Sequence, residues 1–269
     1  TAYQCTNCSH VQAFTDLVPY YKNVISSASL SPVLTLKRDE KLSAFCSDLC
    51  NINPSIIEIG AYKGHYLRHL MDIGYERVFG IENSCSSVRS AKNLGVSMQA
   101  GYLLDDDFTN DTGLLFDIVL CFNFLEHVPD PFRFLQIIKN SVAAENSILY
   151  FTMPSFQYIR SQSLLQEFVP DHVSYFSPAS LRILFERSNL SIRSLCSINN
   201  GNDLEIIASY SKISCEPISS IGLDSLIFSI NTELDSAAED RRSVVFWGAG
   251  HRSLTLISQL RYSLISFIV

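Results

Sequence analysis

No run of lysine or arginine occurs in this 269-residue sequence, and acidic residues outnumber basic ones, 27 to 20, for a formal net charge of −7. A phosphate backbone is gripped by a concentrated basic face, so this balance argues against broad nucleic-acid binding. Charge is scarce altogether, at 17% of residues, whereas apolar residues reach 47%. Such a chain can bury a full core and is not disordered by composition. A dense cysteine framework is also missing. Cys5, Cys8, Cys46, Cys50, Cys85, Cys121, Cys196 and Cys215 are scattered along the chain, which fits reduced thiols in a cytoplasmic protein. The amino terminus lacks a charged region followed by an apolar stretch, so no signal peptide is visible. The apolar segment 254–269 is interrupted by Ser258, Gln259, Arg261 and Ser263, too short and too polar for a membrane span. The sequence starts at Thr1 and stops inside a run that reads as a buried strand, as expected of a piece cut at both ends.

What is present is an alternation. Residues 36–49 read as an amphipathic helix. Ser55-Ile-Ile-Glu-Ile59 is a short apolar run ending at glycine, the pattern of a buried parallel strand. A helix follows over 65–73 with Gly74 as its stop, then a strand over 77–81, a helix over 86–93 and a weak strand over 96–99. Phe116-Asp-Ile-Val-Leu-Cys-Phe122 is a stronger strand, followed by a helix over 131–142, a fifth strand over 147–153 and a helix over 178–188. This implies an α/β fold with a mostly parallel sheet covered by helices. The runs 191–197 and 204–210 then flank Asn199-Asn-Gly-Asn-Asp203, whose Asn and Gly accept positive φ, so the sheet closes in an antiparallel hairpin. Residues 1–20 look like a separate small element, and 213–269 a partial α/β unit beyond a core at 21–212.

Glu58-Ile-Gly60-Ala61-Tyr-Lys-Gly64 stands at a strand-to-helix junction. Gly60 permits a tight turn, and Gly64 lets the chain pass close to a ligand that faces the helix N–H groups. Glu82 ends the second strand, 22 positions after Gly60, where a carboxylate can accept both hydroxyls of a ribose. A dinucleotide fingerprint is not met, because Tyr62 and His65 stand where its later glycines belong. A nucleoside without phosphates fits better.

These segments, with Gly80-Ile-Glu82-Asn-Ser and Phe124-Leu-Glu-His-Val-Pro-Asp130, resemble a Rossmann-like class I S-adenosylmethionine-dependent methyltransferase of the small-molecule type over residues 54–210. The resemblance implies that Glu58, Gly60, Ala61 and Gly64 surround the methionine part of the cofactor and Glu82 holds its ribose. Gly101 would lie beside adenine, and Asn123 would line the pocket after the fourth strand.

His127 follows that fourth strand, where ligands of open α/β sheets bind; it either hydrogen-bonds a loop or meets the substrate. His172, in Pro170-Asp-His-Val-Ser-Tyr-Phe176, is the candidate general base, the alternative being packing against Tyr175 and Phe176. In an extended chain Asp171 and His172 point apart and form no dyad. Cys5-Thr-Asn-Cys8, the core and Val244-Val-Phe-Trp-Gly-Ala-Gly250 occur in the order found in sugar C-methyltransferases. That likeness implies a zinc-binding module, a nucleotide-linked keto-sugar acceptor, and attack of a carbanion or enolate on the methyl sulfonium. Where that family places Tyr and Glu before the histidine, this sequence has Val169 and Asp171.

Cys5 and Cys8 have the spacing of a zinc ligand pair, half a site; Cys46 and Cys50 fall in an apolar helical pattern. Gly248-Ala-Gly250-His-Arg-Ser253 resembles a dinucleotide fingerprint, with its ribose acid falling at or beyond the chain end. It supports a rival reading, a nucleotide-binding or regulatory module with a methyltransferase-like fold. O- or N-methylation of another small metabolite is a third.

Overall fold

The computed structural model describes residues 2–13, 32–49, 53–106, 108–210, 230–231, 245–247 and 266–268. The chain divides into two compact units, Thr1–Ile213 and Ser214–Val269.

In the first unit, β3 (Ile56–Ile59), β4 (Val78–Glu82), β5 (Met98–Ala100), β6 (Phe116–Phe122) and β7 (Ala143–Pro154) run parallel, and β9 (Ser191–Ile198) and β10 (Asp203–Ser209) close the sheet. The order is β5-β4-β3-β6-β7-β10-β9, with β10 antiparallel to both neighbours. The order reverses between β3 and β6, so a crevice opens beyond their carboxyl ends. Asn199, Asn200 and Gly201 all have positive φ in the hairpin turn, as their residue types allow.

Two apolar layers hold the sheet. One packs Phe116, Phe134, Phe151 and Phe185 on one face; the other packs Leu42, Leu67, Leu70 and Val88 on the opposite face. Fully burying one such side chain contributes about 1.5–3 kcal/mol. The helices supplying these layers are α1 (Pro32–Ser47), α2 (His65–Asp72), α3 (Cys85–Asn93), α4 (Pro131–Ile137) and α6 (Pro178–Arg187), whereas α5 (Phe156–Ser161) packs Ile159 with Val11 and Tyr175. Local sequence sets their starts. Ser84 caps α3 by accepting from the Ser87 amide, Asp130 caps α4, and Ser177 and Ser180 form a reciprocal capping box on α6.

Several boundaries depart from the sequence pattern. The helix expected over 131–142 is α-helical only to Ile137; Ile138–Val142 is a π turn, and β7 begins directly after it rather than at 147. Apolar periodicity cannot separate one wide turn from the helix that feeds it. The third strand lies one to two residues later than expected, and α1 begins four residues earlier.

The amino-terminal segment does not stand apart. The strands β1 (Ala2–Gln4) and β2 (Val11–Ala13) pair antiparallel, and β2 also pairs with β8 (Ser174–Tyr175), placing Val11 opposite Tyr175. The Ala13 amide donates to the Val173 carbonyl at 2.9 Å, and the Val173 amide donates to that of Glu126 at 2.9 Å. The cysteine element is thus bonded to the loop carrying His172, because two- and three-residue strands need a shared ladder to satisfy their polar backbone.

In the second unit, β11 (Val245–Trp247) and β12 (Ser266–Ile268) pair in parallel, Phe246 opposite Phe267. The Gly248–Ser253 motif, the helix expected after it, Cys50, Asp107 and Cys215 lie outside the described residues.

Candidate active site

Three turns meet at the carboxyl ends of β3, β4 and β5. Gly60 (φ +76°) turns the chain out of β3, and the amides of Gly60 and Ala61 donate to the Ile81 carbonyl at 2.9 and 3.2 Å. The Gly101 amide donates to the Glu82 carbonyl at 3.1 Å. The Glu82 side chain sits between them, one oxygen accepting from the Tyr62 amide and the other from the Ser84 amide, both at 2.9 Å. A carboxylate offers about four lone-pair directions, so two remain for a ligand such as the vicinal hydroxyls of a ribose. Register places Glu82 on the strand beside Glu58, whose neighbour across the ladder is Gly80.

The glycines act through packing. A Cβ on Gly60 would meet the Phe124 ring at 2.4 Å, and one on Gly64 (φ +71°) would meet Val96 at 3.0 Å and Met98 at 3.3 Å. The bare side of Gly64 therefore faces the layer under α3, not the crevice. Gly60→Ala combines a left-handed φ with that contact and should lower stability by about 1–2 kcal/mol. Thermal unfolding would show it, and an unchanged midpoint would mean the turn relaxes freely.

Glu58 is buried, with one carboxylate oxygen unpartnered. Burial, helped by the Glu82 charge and opposed by Arg38, pushes its carboxyl up to about 8. An orphaned buried carboxylate at this point suits the ammonium of a methionine moiety. Arg38 of α1 completes this edge: its guanidinium donates to Asn123 Oδ1 at 2.9 Å and to the Tyr66 hydroxyl at 3.3 Å, and lies 3.6 Å from Asp203. Asn123 takes φ +50° just past β6 to present that oxygen. A cavity of about 340 Å³ opens beside Arg38, walled by Lys37, Tyr66, Phe122, Tyr150 and Asn199.

The histidines meet on the next turn. His127 and His172 stack edge to face with centroids 4.8 Å apart. The Asp171 carbonyl takes a hydrogen bond from His127 Nδ1 at 2.8 Å, with the Asp171 carboxylate 3.6 Å away. Asp171 therefore serves His127, not His172. Burial lowers both imidazoles; for His172, with His127 adding to burial, the value falls to about 4. Glu126, 3% exposed, has an unpartnered Oε2, and burial raises its carboxyl to about 8. The sequence pairs Asp171 only with its neighbour His172, and Glu126 stands there only as a member of the Phe124–Asp130 motif. Arg38 left no signal at all, being 85 positions from its partner Asn123.

Cys5 and Cys8 lie in the turn between β1 and β2. Backbone bonding from Cys8 and Asn7, then the Cys8 thiol, lowers the Cys5 thiol. Among the described residues, no third His, Cys, Asp or Glu joins them. His10 instead packs against Phe176, centroids 4.9 Å apart.

A family profile described as a methyltransferase domain matches residues 35–195. A ubiquinone biosynthesis O-methyltransferase from Aeromonas salmonicida (strain A449) is 26% identical over 114 residues, 39% of this chain and 48% of that protein. The match thus spans about half of the relative's length. Among solved structures, magnesium protoporphyrin IX methyltransferase from Synechocystis PCC 6803, with bound SAH, aligns with a TM-score of 0.52 at 13% identity, covering 71% of this chain and 97% of that one. A Haloferax volcanii complex of the Trm112 methyltransferase activator with a putative methyltransferase aligns at 0.52 and 17%, covering 66% and 96%. At these identities the structural likeness concerns the fold.

Proposed function

The chain belongs to the methyltransferase-domain family, whose methyl donor is S-adenosylmethionine, and from that premise we propose that it methylates a small molecule, a nucleotide-linked keto-sugar. The observation that carries the cofactor assignment is Glu82, fixed by two amides beside the Gly60 turn at the point where strand order reverses. In this reading Glu82 binds the ribose and Gly101 lies beside adenine. Glu58, Gly60, Ala61 and Asn123 border the methionine end, Gly64 fixes the helix beneath it, and Arg38 supplies the counter-charge for the carboxylate.

His127 and His172 stand on the acceptor side and assist its activation. A C–H next to the ketone gives its proton to the His172 imidazole, and the resulting carbanion attacks the methyl carbon. The C–S bond breaks with its pair passing to sulfur, leaving S-adenosylhomocysteine. The segment order from Cys5 to Gly250 supports the sugar acceptor. Cys5 and Cys8 are then half of a zinc site in the intact protein. A second reading, O-methylation, is favoured by the relative that is a ubiquinone biosynthesis O-methyltransferase.

Incubation of the protein with methyl-labelled cofactor and a panel of nucleotide-linked keto-sugars tests this directly, with label expected on a sugar carbon. Label on oxygen would select the second reading. In parallel titrations S-adenosylmethionine should bind and NAD should not; micromolar NAD binding without the former would instead establish a nucleotide-binding module.

A further inference from the structure

We propose that Glu126, His127 and His172 bind one divalent transition-metal ion of the zinc type at the carboxyl end of β6. Their three ligand atoms lie within 4.8 Å of one another. Tetrahedral ligands on such an ion stand about 3.4 Å apart, given metal–ligand distances of about 2.0–2.2 Å, so the set must close by up to about 1.4 Å through side-chain rotation.

The tautomer of His127 is fixed by its surroundings. The Asp171 carbonyl can only accept, so Nδ1 must carry the hydrogen, and Nε2 keeps its lone pair 4.0 Å from Glu126 Oε1. An imidazole whose far nitrogen donates to a carbonyl, with a carboxylate alongside, is the outer-shell arrangement of metal-binding histidines. Glu126 Oε2 gives an independent indication: it is buried without a partner, and buried carboxylates are paired or bind cations. The Arg38 guanidinium bonds Asn123 and reaches Glu126 by charge alone, and the Asn123 side chain hydrogen-bonds the Glu126 carboxyl, leaving Oε2 as its open oxygen. Two imidazoles with one carboxylate favour zinc, manganese, cobalt or iron over magnesium, which takes oxygen ligands.

The inference rests on the reading that the acceptor lies against these histidines: the ion's open positions would hold the acceptor's oxygen and polarise its carbonyl or hydroxyl. The chelator-treated, dialysed full chain is titrated with Co²⁺, without cofactor or acceptor, and followed by visible absorption. One equivalent should bind with d–d bands that lack a thiolate charge-transfer band, which separates it from any ion on Cys5 and Cys8. E126Q and H172N should each weaken that equivalent by at least about 10–100-fold, since loss of an outer-shell partner alone costs that much. No cobalt bound by the parent, thiolate-type cobalt alone, or parent-like affinity in both folded variants overturns the proposal. If a variant fails to fold, the parent spectrum decides. Methyl transfer is not read, so failure of the acceptor assignment leaves this result standing, and the reverse.

Discussion

His172→Asn is expected to lower turnover by about 10²–10⁴-fold while cofactor affinity barely changes. The imidazole lies edge-on to His127, on the turn after β6, whereas the cofactor assignments converge on the ends of β3, β4 and β5. Asparagine keeps much of the shape and some hydrogen bonding. On the proposed function it removes the ring nitrogen that would assist the acceptor, whether by taking its proton or by holding a cation beside it. Single-turnover kinetics with labelled cofactor separate binding from chemistry. Near-normal turnover on the true acceptor would make His172 a packing residue and move the reading to direct O- or N-methylation.

Glu82→Ala should weaken S-adenosylmethionine binding by about 1–3 kcal/mol, the usual cost of unpaired polar groups, or about 5–150-fold in Kd. The substitution removes the acceptor for two ribose hydroxyls and also strands the Tyr62 and Ser84 amides that now hold the carboxylate. Glu82→Gln keeps one acceptor oxygen and should fall between the parent and the alanine variant. Calorimetric titration reads both. Unchanged affinity in Glu82→Ala would remove the ribose from this position.

Two of the parallel strands were legible because each is an apolar run closed by glycine or an acid. Ile56–Ile59 ends at Gly60, and Val78–Glu82 ends on the carboxylate that marks the site. The hairpin was legible because Asn199, Asn200 and Gly201 tolerate the φ values that the turn demands. β1, β2 and β8 could not be read, since strands of two and three residues have no period to detect. Contacts across the crevice were equally hidden. Arg38 reaches Asn123 and Asp203 from a helix whose spacing shows only amphipathicity, and Asp171 reaches His127 across 44 positions. Local pattern places each element, whereas side-chain meetings depend on strand order and helix docking, which no window of sequence contains.

The ladder from Ala13 through Val173 to Glu126 consists of main-chain bonds only. Side-chain replacement along it leaves those bonds standing, while inserting or deleting one residue in β2 or β8 would break them or slip their register. The amino-terminal segment is therefore a spacer defined by length rather than by composition. A displacement of the Cys5–Cys8 loop therefore reaches the segments carrying His127 and His172 through main-chain bonds alone.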